Sequence, residues 1–307
     1  MCRFMRRPHA CIPLLLVLSA CKPAVESGMK AIAGGVLIDG LGGPPLTDSL
    51  IVVSGDRIAA VGRRGEIPVP AEADKIDGGG KFIVPEPVDV YRRMDPAVSF
   101  TAANTATAAD AAARIASLAA GHTAVIHVWQ GDPAIIEATL EAARGAGIAV
   151  IGHVQRELDA RFFVDNGALG FVGMLRDRAV PDPSFVAKMR NLRIVFAPAL
   201  VSAGRDLEIA ARNTHALFAA GVPIAVASDG KDYQRELELL VEAGIPPLDV
   251  IVAATHNGAT ALRELDQRGT IQPGKRANLW LLSANPGEDI RNLRRVSARM
   301  AAGEWVR

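Results

Sequence analysis

The middle of this 307-residue chain alternates short apolar runs with helix-like stretches, and that alternation restricts the fold more than any other feature of the sequence. The runs are Phe82 to Val90, Thr123 to Trp129, Ile148 to Val154, Leu169 to Leu175, Leu192 to Leu200 and Pro223 to Asp229. Helix candidates lie between them at 133–144 and 207–220, with an Ala-rich one near 106–120. Nearly continuous apolar strands separated by helices are the pattern of a parallel sheet buried on both faces. The two ends of the chain read differently. Residues 30–85 hold Val36-Leu37-Ile38, Leu50-Ile51-Val52-Val53 and a tight turn at Ser54-Gly55-Asp56-Arg57, the marks of β-hairpins. Residues 269–307 show the same texture, with Ala277 to Leu282, Val296 to Met300 and Glu304-Trp305-Val306. The expectation is an α/β core flanked by a small β domain built from both termini.

Charge narrows the function classes. Lys+Arg 34 against Asp+Glu 33 leaves a net charge of +1, without the basic excess of a nucleic-acid binder. At 50% hydrophobic and 22% charged residues the chain is not disordered. No apolar run after residue 20 approaches the ~18 residues of a membrane span.

The N-terminus carries its own message. Arg3, Arg6 and Arg7 precede the apolar stretch Ile12 to Leu18, and small residues then lead into a cysteine, the layout of a secretory signal over residues 1–20. An ordinary signal or a short buried helix fits the same stretch. Leu18-Ser19-Ala20-Cys21 resembles a bacterial lipobox. That resemblance implies cleavage before Cys21, its lipidation, and attachment to the membrane by the lipid anchor alone. With Lys22 next, it favours the periplasmic side of the outer membrane. Cleavage there removes Cys2 and Cys11 and leaves no pair of thiols for a disulfide, although the periplasm permits one.

Several segments resemble one family, the amidohydrolase superfamily near its imidazolonepropionase-like and dihydroorotase-like members. They are Gly55 to Gly62, Asp77 to Pro85, Ala253-Ala254-Thr255-His256-Asn257-Gly258-Ala259 and Gly269 to Leu279. The resemblance spans about residues 30–307. It implies a (β/α)₈ TIM barrel over 86–267 with a composite β-sandwich from 21–85 and 268–307, and metal-dependent hydrolysis of C–N bonds. The interval 86–267 is shorter than the ~250 residues usual for such a barrel, so the barrel is expected to be shortened by one or two βα units.

The site implied by the resemblance is incomplete. Chemistry in such barrels sits at the C-terminal ends of the strands. Where the family's first strand carries Asp-x-His-x-His, this chain reads Asp89-Val90-Tyr91-Arg92-Arg93, so Tyr91 and Arg93 stand at the two histidine positions. Arg stays protonated, and a phenol is not among the usual zinc donors. No segment matches the family's fourth-strand lysine or glutamate. His153 matches the fifth-strand histidine, Gly173 stands at the sixth-strand histidine position, and Asp229 matches the eighth-strand aspartate. A catalytic zinc needs about three protein ligands and an open position. His127, ending its own strand, could join His153 and Asp229 to hold one divalent metal, with Asp229 as the catalytic acid; the lost ligands favour no metal at all. Arg93 facing Asp229 would then supply the positive charge that a buried carboxylate needs.

Two readings follow. In the first, the chain is a degenerate, non-hydrolytic member that keeps the fold for binding a small-molecule ligand or for scaffolding. In the second, it is an active mononuclear hydrolase of small C–N substrates, amidase- or dipeptidase-like. A barrel lacking strands also exposes an edge that favours a homo-oligomer. No Gly-x-Ser-x-Gly elbow, phosphate-binding Gly-x-x-x-x-Gly-Lys-Ser/Thr loop or His-Glu-x-x-His motif occurs.

Overall fold

The computed structural model describes residues 28–91, 97–101, 104–129, 131–178, 181–228 and 230–306. Cys21, Arg93 and Asp229 lie outside these residues. No helix among the described residues is long and apolar enough to cross a membrane.

Five strands open the chain: β1 (Lys30–Leu37), β2 (Leu46–Ser54), β3 (Arg57–Arg63), β4 (Asp74–Asp77) and β5 (Phe82–Pro85). The central region follows with β6 (Ser99–Phe100), α1 (Ala108–Ala120), β7 (Val125–Val128), α2 (Pro133–Gly145), β8 (Ala149–Val154), α3 (Glu157–Asp165), β9 (Gly170–Gly173), α4 (Pro183–Leu192), β10 (Val195–Ala197), α5 (Leu207–Ala219) and α6 (Tyr233–Glu242). The chain closes with β11 (Leu279–Leu282), β12 (Val296–Ala301) and β13 (Glu304–Val306). The fold is mixed α/β.

Both termini build one sheet, in the order β13-β12-β11-β5-β1-β2-β3 with β4 pairing β1. The expected two-layer sandwich is replaced by this continuous sheet, because β11 hydrogen-bonds directly to β5 in antiparallel register, Leu279 opposite Pro85 and Leu282 opposite Phe82. The sheet curls over a common core. Ile32, Ile51 and Ile58 from the N-terminal strands pack with Leu279, Leu281 and Met300 from the C-terminal ones.

In the center, β10-β9-β8-β7-β6 form a parallel sheet. Sequence cues set the helix starts around it. Asp132 and Asp182 accept hydrogen bonds from the first-turn amides of α2 and α4, each with proline in the first turn, and Asp232 does the same for α6. Thr107 and Asp110 form a reciprocal capping box on α1. Strand alternation divides the core in two. Ile126, Val128, Val150 and Phe171 face outward to Ile136, Leu140 and Phe163 of the helices. Gly152 sits where an added Cβ would lie 2.5 Å from the Phe163 ring, so α3 packs against bare backbone there.

The inner face gathers Val88, Val90, Ile151, Val172, Val195, Ala197, Ala225 and Ala227. Small alanines on this face suit a ring narrower than eight strands. The run Phe82 to Val90 serves both sheets: β5 belongs to the terminal sheet, while the Val90 amide donates to the Val226 carbonyl. On its other side, the 223–228 stretch joins β10 through the Phe196–Ile224 bridge. Two expectations change. Pro223 to Asp229 is extended backbone with that single bridge rather than a regular strand. The central sheet also does not close into a barrel among the described residues, since β6 is only two residues long and no ladder joins it to 88–90.

Candidate functional site

The C-terminal ends of β7 and β8 bring together the two histidines singled out in the sequence. His127 and Ile151 lie on paired strands, and His153 follows Ile151 on the inner face. The His127 Nδ1 and His153 Nε2 atoms are 2.9 Å apart, a direct imidazole–imidazole hydrogen bond between buried rings. One of the two nitrogens must carry the shared proton. Burial, with His127 adding to it, pushes the His153 pKa well below the usual imidazole value of 6.5, so this ring is neutral at pH 7.

Aromatic groups enclose the pair. Trp129 stacks on His153 with ring centroids 3.8 Å apart and planes 14° from parallel. Tyr91 meets His153 edge-on at 5.7 Å and Trp129 edge-on at 6.3 Å. Tyr91 thus stands beside the imidazoles at the family's ligand position, contributing a ring rather than an imidazole nitrogen. Trp129 is the functional residue that the sequence reading missed. Its signal was available, because it lies two residues after His127 and alternate strand residues share a face.

Asp89, which does match the first-strand motif, is occupied structurally. Its carboxylate accepts from the Tyr91 amide at 2.9 Å, the Ser228 amide at 3.1 Å and the Ser228 hydroxyl at 2.5 Å, tying the first strand to the 223–228 stretch. Behind this tie, the fully buried Glu236 of α6 accepts from the amides of Leu200 and Val201 at 2.8 and 2.6 Å. It fixes the turn that carries Ala199, a residue of the cavity wall. Tyr233 reaches the Val88 carbonyl, and burial, followed by the charges of Asp89 and Glu236, raises its pKa well above that of a free phenol.

At Gly173 the backbone itself excludes a side chain. Its φ of 126° is one that L-residues rarely adopt, and a Cβ there would lie 1.9 Å from the Val154 carbonyl oxygen. The remaining histidines stand apart: His122 is exposed with φ of 60°, His215 is exposed on α5, and His256 hydrogen-bonds Asn257.

Together these side chains open on a cavity of about 180 Å³ lined by Trp129, His153, Gln155, Met174 and Ser202, with Gly173 in its wall. The donor set can be tested for a metal. Among the described residues no group of three His, Cys, Asp or Glu side chains is placed to hold one. The two imidazoles spend ring nitrogens on each other and the Asp89 carboxylate is spent on Ser228 and Tyr91. The described residues therefore do not complete the three-ligand set of a catalytic zinc.

Solved structures show the same fold. Molinate hydrolase superposes with a TM-score of 0.76 at 15% identity, covering 92% of this chain and 95% of that one. Phenylurea hydrolase B gives 0.75 at 19% identity, covering 91% and 97%. Ochratoxinase of A. niger gives 0.76 at 16% identity, covering 91% and 96%. No curated protein matches the chain in sequence. A family model described as amidohydrolase family matches residues 89–306, more than two thirds of the sequence. The chain belongs to the amidohydrolase family.

Proposed function

We propose that this protein is a non-hydrolytic amidohydrolase-family member that keeps the strand-end pocket for binding a small molecule. The observation that carries the reading is the His127–His153 hydrogen bond. Two imidazoles that bond to each other, with Trp129 stacked on one of them, form a packed aromatic unit rather than a pair of lone pairs aimed at a common cation. Tyr91 at the edge of this unit and the bare backbone at Gly173 support the same conclusion. The terminal sheet then serves as the remnant of the family's composite β-sandwich, and the central ring as its shortened barrel. Lipidation of Cys21, anchoring at the periplasmic side of the outer membrane and self-association complete the proposal.

A second reading rests on the same juxtaposition. His127 and His153 do meet at one pocket, and with Asp229 they would supply three donors for a mononuclear hydrolase of C–N bonds, the chemistry to which the family resemblance points. A screen of amidase and dipeptidase substrates, with and without added zinc, separates the two. The proposal predicts no turnover above buffer in either condition. Zinc-dependent turnover that disappears in Asp229→Asn would establish the second reading instead.

A further inference from the structure

The cavity wall indicates what the ligand must be, on the reading that this pocket binds rather than hydrolyses. We propose that it takes a single-ring, uncharged molecule carrying a hydrogen-bond acceptor. Size sets the first limit: at about 180 Å³ the space is of the order of the ~150 Å³ that holds one six-membered ring. The walls set the second. Val154, Val172 and Met174 are apolar, and Trp129 and His153 add flat ring surface.

Charge sets the third limit. Among the described residues lining the cavity none is Asp, Glu, Lys or Arg. The one titratable ring, His153, is neutral at pH 7. Arg176 reaches Gln155 from outside the lining, and its guanidinium is paired with Asp206 at 2.9 Å. An ion entering such a space would lose its hydration without a counter-charge.

Hydrogen bonding sets the fourth. Arginine only donates, so its contact fixes Gln155 Oε1 as the acceptor and leaves Gln155 Nε2 as a donor at the cavity. The Trp129 indole N–H is buried and has no acceptor. Two donors beside an apolar wall call for an acceptor on the ligand, and an orphaned buried N–H is the kind of group that a bound molecule satisfies.

Benzamide, benzoate and benzylamine form a matched set of neutral, anionic and cationic probes. Each is titrated into the full-length chain with ¹³C-methyl-labelled methionine, the Met174 signal being assigned through Met174→Leu. The expected result is a saturable shift of the Met174 methyl by benzamide, with benzoate and benzylamine binding at least about tenfold more weakly. Equal or tighter binding of either ion at Met174 would overturn the uncharged class while leaving the binding reading intact. Failure of all three to move the Met174 signal would overturn the ring-sized class. A Met174 shift caused by zinc alone, together with turnover, would instead remove the non-hydrolytic reading on which this inference rests.

Discussion

A Cβ on Gly173 would lie 1.9 Å from the carbonyl oxygen of Val154, on the neighbouring strand. The position where the family resemblance implies a metal-binding histidine is therefore closed to every side chain. Gly173→His would not rebuild a metal site. Steric overlap with backbone and a φ of 126° should cost about 3 kcal/mol or more, measured by chemical denaturation of Gly173→Ala and Gly173→His. A Gly173→His variant of unchanged stability that gains zinc would contradict this.

His153 makes stability depend on pH with a definite sign. Its folded pKa lies well below 6.5, so below that pH the unfolded chain binds a proton that the folded chain does not. Stability is fully present above about pH 6.5 and falls as pH drops below it, with a slope of about 1.4 kcal/mol per pH unit from this group. Denaturation curves across pH 4–7 should show this slope in the wild type and lose a one-proton component in His153→Gln. Identical slopes in the two proteins would show that His153 titrates normally.

Asp89 holds Ser228 by two hydrogen bonds and the Tyr91 amide by a third. Asp89→Ala strands these donors at a partly buried seam and should lower stability by about 2–3 kcal/mol, while Ser228→Ala should cost about 1 kcal/mol. Equilibrium unfolding measures both. Equal effects of the two substitutions would mean that Asp89 acts only through the Ser228 hydroxyl.

Much of the architecture was legible because it rests on pattern. The helix at 133–145 announced itself through Asp132-Pro133, and both β-rich ends paired as their turns implied. Strand β6 was not legible, since two residues carry no periodicity. The run 223–229 looked like a strand through apolar composition alone, which does not report whether both edges find ladder partners. At the site, His127 and His153 were identifiable as strand-end residues, but their mutual hydrogen bond depends on strand register, which the sequence does not spell out. Trp129 read as an ordinary apolar residue until its ring was seen stacked on His153.

Anchoring at Cys21 is tested by expression in a bacterium and fractionation. The wild-type chain should pellet with membranes and Cys21→Ala should move to the soluble fraction. Equal solubility of the two would remove the lipid anchor from the proposal.

The most direct test of the central claim is the metal content of the purified protein by mass spectrometry after dialysis against zinc and then buffer. The account predicts far less than one zinc per chain, unchanged in His127→Phe and His153→Phe. About one tightly held zinc per chain, lost in both variants, would contradict it.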